Sequence, residues 1–136
     1  MPVGQRIMLV VLALALLALL VTAGILTPDA RGHGTHQQLG LPPCTFHVVF
    51  QRPCPACGMT TSWAWLLRRE IGHALAANAG GTLLAALSLL GAPWLLVSAL
   101  RGRWFGGRPN QWTIAGIAGI VSLVTAGQWV WRMLMF

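Results

Sequence analysis

The sequence contains no lysine, and only two carboxylate side chains, Asp29 and Glu70, among 136 residues. Two isolated acids give no carboxylate-pair motif on which glycoside hydrolysis or aspartic-protease chemistry could rest. A phosphate-cradling glycine loop with its lysine is absent, as is a metalloprotease helix, so nucleotide-dependent and metallohydrolase classes have no motif to rest on. Glu70 directly follows Arg68 and Arg69 and reads as a local ion-pair partner rather than a catalytic base. Charge as a whole is scarce, 8% of residues against roughly 25% in soluble proteins, while 56% are apolar. That balance belongs to a membrane protein.

What charge there is comes from nine arginines, placed at the edges of apolar runs instead of in one stripe. This arrangement argues against nucleic acid as a partner and for a bilayer with anionic headgroups. Ile7 to Leu26 is the first apolar run, long enough at 1.5 Å per residue to cross a hydrocarbon core of roughly 30 Å. It exceeds a signal-peptide core and lacks a clean small-residue cleavage site, so it is read as a retained span. Residues 82–100, with Pro93 expected to kink them, and residues 112–131, bracketed by tryptophans, read as the second and third spans. Residues 27–59 are a cysteine-containing loop punctuated by glycine and proline, with one short turn or strand expected at Phe46 to Phe50.

Residues 60–77 carry Trp63, Leu67, Ile71 and Leu75 at four-residue intervals, with Arg68, Arg69 and His73 elsewhere on the wheel. That stripe predicts one amphipathic helix, interfacial or packed on the spans. Along the third span, Ala115 and Gly119, and Ala118, Ser122 and Ala126, form small-residue faces suited to close helix packing, mainly within the chain. The fold class is therefore all-α: a single membrane domain, 1–136, of three transmembrane helices plus an interfacial helix after a Cys-Pro-x-Cys-Gly turn. Arg6, Arg101, Arg103 and Arg108 sit in a short tail and a short turn at the span ends. Their density predicts an N-terminus on the cytoplasmic side, with the long loop outside.

Chemistry concentrates in Cys54-Pro55-Ala56-Cys57-Gly58-Met59-Thr60, together with Cys44 and His47. Three cysteines cannot pair completely, so one thiol is free, pairs between chains, or binds something. Three readings of this segment stand side by side. Cys54 as the N-cap of a helix with Pro55 in its first position would give an activated redox dithiol. Cys44, His47, Cys54 and Cys57 form two close ligand pairs that suit a tetrahedral zinc ion, with His33 and His36 as competitors for a place. A tight proline-glycine turn where the chain enters the membrane would need only small buried thiols.

Residues Leu41 to Asn78, with Cys44, the Cys54–Thr60 motif and an Ala-Asn pair near the end, resemble a family of small multi-pass membrane proteins of unknown function. That bacterial family carries a C-P-x-C-G-x-T-R signature. Cys54, Pro55, Cys57, Gly58 and Thr60 match it one by one, and Thr61 stands where the family has arginine. The resemblance implies bacterial origin and a membrane location, read here as the inner membrane, and supplies no activity. With packing faces and interfacial anchors but no complete catalytic constellation, the chain reads as an accessory or assembly protein with a membrane-protein partner. The alternative is a membrane-bound thiol redox protein, or a small zinc-binding one, working through Cys44, Cys54 and Cys57.

Overall fold

The computed structural model describes residues 1–135, and among these there is no strand. Five α-helices follow one another: α1 (Val3–Ile25), α2 (Thr45–Phe50), α3 (Met59–Leu67), α4 (Ile71–Arg101) and α5 (Gln111–Met135), with a 3-10 helix at Thr35–Leu39. Three of them, α1, α4 and α5, are long and apolar enough to cross a membrane. The segment around Phe46 is thus a short helix, α2, and not a strand.

α4 is the hub, packing on α1, α3 and α5. α1 turns Leu9, Ala13, Leu20 and Ala23 inward, a stripe at steps of three, four and seven residues, and α4 answers with Ala85, Ser88, Ala92 and Ala99. Small side chains let the two backbones come close where lipid offers no hydrophobic drive for association. The Arg6 guanidinium donates to the carbonyl oxygens of Ala99 (2.9 Å) and Leu100 (3.3 Å), tying the start of α1 to the end of α4 and making the two antiparallel.

The helix expected over 60–77 is two pieces. α3 stops at Leu67, the chain reverses through Arg68, Arg69 (φ 63°) and Glu70, and α4 begins at Ile71. Amides of Arg69 and Glu70 close back onto Leu66 and Trp65 carbonyls, and the Arg68 side chain donates to the Ala64 carbonyl (3.0 Å), so the helix end is satisfied where it turns. The four-residue stripe is divided by this reversal: Trp63 is 7% exposed, in a core with Leu20, Ala23 and Ala85, whereas Ile71 is 57% exposed and Leu75 43%.

Nor does Pro93 mark the break in the second span. The single interior residue of α4 off helical geometry is Asn78 (φ −164°, ψ 107°), and the helix resumes immediately after it. The groups this break frees are answered from α5: Gln128 accepts from the Ala79 amide (2.7 Å) and donates to the Leu75 carbonyl (2.9 Å), and Arg132 donates to the carbonyls of Ala76 (2.8 Å) and Ala77. In a lipid environment such internal partners are what make a broken helix tolerable.

The small-residue faces of α5 do not serve packing within the chain. α5 has no buried residue, nothing lies within 4 Å of a side chain added at Gly116 or Gly119, and among the described residues the one helix it packs against is α4. The small residue at that crossing belongs to α4, where Gly80 leaves the space that Thr125 fills.

The helix directions put Arg6, Arg101, Arg103 and Arg108 at one end and the cysteine loop at the other. Single cysteines introduced at Ala30 and Arg103, both exposed, are expected to react with a membrane-impermeant reagent from opposite sides of the bilayer. Reaction of both from the same side would refute an odd number of spans between them.

Candidate functional site

Pro42 and Pro43 lead into Cys44, which occupies the N-cap of α2. The backbone amide of His47, foremost, and that of Phe46 face its sulfur and hold its pKa below the ordinary thiol value, against the opposing effect of burial. Gln51, in the left-handed region at φ 55°, ends α2 and turns the chain back toward Cys54.

Cys54 to Cys57 is a turn, closed by the Cys57 amide on the Cys54 carbonyl (3.0 Å), with Pro55 at the second position, where its fixed φ suits the geometry. Cys54 is therefore not a helix N-cap. The helix starts later, at Met59, because Gly58 adopts φ 84° and separates turn from helix. Cys57 is 8% exposed, and burial, followed by the neighbouring Cys54 thiol, pushes its pKa up to about 12. Its sulfur is a neutral thiol at neutral pH unless a cation joins it.

All three cysteines are free thiols and converge. Sγ of Cys44 lies 3.5 Å from that of Cys54, which lies 3.3 Å from that of Cys57, and all three sulfurs fall within 4.8 Å of one another. A disulfide would bring two of them to about 2.05 Å. Sulfurs bound to one zinc ion at about 2.3 Å in tetrahedral geometry stand about 3.8 Å apart, close to the spacings here.

The triad opens on a cavity of about 490 Å³ that His33, His36, His47, Thr60 and Thr61 also line. His47 stands outside the sulfur cluster, its ring packed on that of His33 with centroids 5.0 Å apart, and its Nδ1 is buried without a hydrogen-bond partner. Burial, with the neighbouring His47 next, lowers the pKa of His33. His36 is engaged with the Pro42 carbonyl at 3.2 Å. Thr61 is fully buried, and its hydroxyl meets that of Thr35 at 2.6 Å. The loop before it is pinned by Asp29, whose carboxylate takes hydrogen bonds from the Arg31 side chain and then its amide and is held at about 2.

What seats the turn lies outside the motif. Asn78 donates to the carbonyls of Pro55 and Cys57 (both 3.2 Å), while its own oxygen accepts from the Gly81 amide (2.7 Å). Arg132 donates to the Cys57 carbonyl (3.3 Å), and the Trp129 indole to that of Pro53 (2.9 Å). Residues 44–92 match the family model for a protein of unknown function, DUF2752. No curated protein and no solved structure matches the chain. The matched segment holds the whole cysteine turn, α3 and Asn78, whereas Gln128, Trp129 and Arg132 lie beyond it.

The sequence reading placed Asn78 only at the end of the segment that resembles the family, and missed both Asn78 and Arg132 as supports of the cysteines. An asparagine among alanines and glycines in an otherwise apolar run was the available signal, since a polar side chain at such a place carries a cost and so a role.

Proposed function

We propose that this chain is an accessory or assembly protein of the bacterial inner membrane whose loop holds a thiolate-preferring metal ion, with zinc the best fit to the donor set. The convergence of three sulfurs from two separate chain segments carries this reading. A turn that needed only small buried thiols has no reason to gather Cys44, ten residues upstream of Cys54, onto the same point. His47 is the fourth candidate ligand, because its buried, unpartnered Nδ1 belongs to a residue lining the same cavity. A bound cation would draw the proton from Cys57 and so couple metal uptake to proton release.

The accessory part of the proposal is supported by what surrounds the site. Asp29 and Glu70 are both engaged locally, with Arg31 at 2.7 Å and His73 at 3.3 Å. Every residue of α5 from 111 to 120 is exposed, a length of helix available to a membrane-protein partner or to lipid. Arginine density favours a cytoplasmic N-terminus, which sets the cysteines on the outer face. Oxidants there compete with metal for the sulfurs.

Metal analysis and thiol counting on one unreduced, chelator-free sample test the proposal. The expected result is stoichiometric zinc, released when the thiols are modified, and weaker binding in the His47→Ala variant. One free thiol per chain with no metal would replace the metal reading by an internal disulfide and the redox alternative. Three free thiols with no metal would reduce the segment to a structural turn.

A further inference from the structure

Both acidic side chains lie at the end of the bundle that holds the cysteines, where Asp29 pairs with Arg31 and Glu70 contacts His73. The opposite end has arginine without acid: Arg6 near the start of α1, Arg101 at the close of α4, and Arg103 and Arg108 in the turn that leads to α5. Arg6 is engaged by the carbonyls of Ala99 and Leu100. Arg101 and Arg103 are exposed, and among the described residues neither guanidinium donates a hydrogen bond to the chain or meets a carboxylate.

The turn that carries them is shaped in advance. Gly102, at φ 68°, ends α4 and sends the chain back along it. The buried Ser98 hydroxyl then accepts from the Phe105 amide (3.1 Å), and the Trp94 indole donates to the Phe105 carbonyl (2.7 Å). Trp104 stacks on Trp94, and the Arg101 guanidinium carbon stands 5.0 Å from the centre of the Phe105 ring. Contact with an aromatic face leaves the N–H edges of a guanidinium available to an acceptor. Arg101, Arg103, Trp104, Phe105 and Gly106 line an open cavity of about 300 Å³.

Two forks of donors without acceptors of their own therefore border one preformed space, and a phosphate oxyanion is the group their geometry matches. Position selects its source. α1 begins at Val3, α4 ends at Arg101 and α5 begins at Gln111, so the cavity lies where the spans leave the hydrocarbon, at the level of lipid headgroups. Leu100 and Phe105, 67% and 51% exposed, set apolar surface beside the arginines, which an acyl chain covers and a free phosphate does not. A zwitterionic headgroup would bring its ammonium among arginines with no acid to receive it, whereas an anionic one brings only the matching charge.

We infer that this cavity binds the phosphodiester of one anionic phospholipid, in the leaflet on the side of the N-terminus, through the Arg101 and Arg103 guanidinium groups. The site lies at the opposite end from the cysteine loop and stands whether or not that loop holds a metal.

Native mass spectrometry tests this on the full chain, delipidated in detergent and titrated with phosphatidylglycerol or with phosphatidylcholine of the same acyl chains. One phosphatidylglycerol is expected to bind about tenfold more tightly than phosphatidylcholine, the worth of one hydrogen bond to a charged group. Arg103→Gln should lower phosphatidylglycerol affinity by about tenfold, and Arg108→Gln, which removes the same charge outside the cavity, by less than about twofold. Arg103 makes no hydrogen bond within the chain, so its loss leaves the fold in place for the comparison. Equal affinities for the two lipids, or equal losses in the two variants, would overturn the site in favour of diffuse attraction to a charged surface. Displacement of the lipid by inorganic phosphate, but not by chloride at the same ionic strength, would overturn it in favour of a free phosphate.

Discussion

Gly58→Ala is expected to destabilise the protein by about 3 kcal/mol or more, because two independent penalties meet at one residue. The backbone there sits at φ 84°, where an L side chain costs roughly 1–2 kcal/mol. An added Cβ would also stand 2.5 Å from the carbonyl oxygens of both Ala77 and Gly32. Neither oxygen is the end of a flexible side chain, so relief requires the turn to lift away from α4. Gly40 provides the control, with φ 79° and nothing within 4 Å of the same added carbon. Gly40→Ala should cost only the conformational part, on the order of 1–2 kcal/mol. Unfolding of the two variants in the same detergent measures the difference. Equal losses would mean that the turn is not seated against α4 as closely as described.

The second large effect is expected at Asn78. Asn78→Ala removes two donations to the cysteine turn and the cap on the Gly81 amide together; the Cys57 carbonyl keeps its bond from Arg132, whereas the buried Gly81 amide loses its partner. A loss of about 2–4 kcal/mol follows from the cost of unsatisfied buried polar groups. If the cysteines hold a metal, its affinity should fall by about 10- to 100-fold, the usual consequence of removing a support behind the ligands. Asn78→Asp separates the contributions. It keeps the acceptor for Gly81 but turns an oxygen toward two carbonyl oxygens, so it should be at least as destabilising as the alanine at neutral pH. Stability and metal titrations on both variants check this, and an alanine variant indistinguishable from the parent in both would show that the turn holds its shape without α4.

The parts of the architecture legible in the sequence are those that depend on composition over a whole helix. Twenty apolar residues in a row need no tertiary information to indicate a span, because the cost of placing them in water is summed along the run. The same local reasoning singled out the cysteine segment from the apolar spans around it. It failed at 60–77, where a four-residue stripe continued across a reversal of the chain: periodicity records which residues are apolar, not whether the backbone between them stays helical. Pro93 misled for a related reason. A proline removes one hydrogen bond, and helix geometry survives it, whereas Asn78 leaves helical geometry because Gln128, Arg132 and its own side chain satisfy the freed groups.

By itself, then, the sequence determined an all-helical membrane protein with a cysteine-rich loop, since hydropathy and turn chemistry act over neighbouring residues. Tertiary structure alone decided that Cys44 joins Cys54 and Cys57 while His47 stays apart beside His33. It alone decided that the turn is held by residues from α4 and α5, far along the chain. The physical reason is that a sulfur cluster and its supports are fixed by hydrogen bonds between segments whose separation in the chain bears no relation to their distance in space.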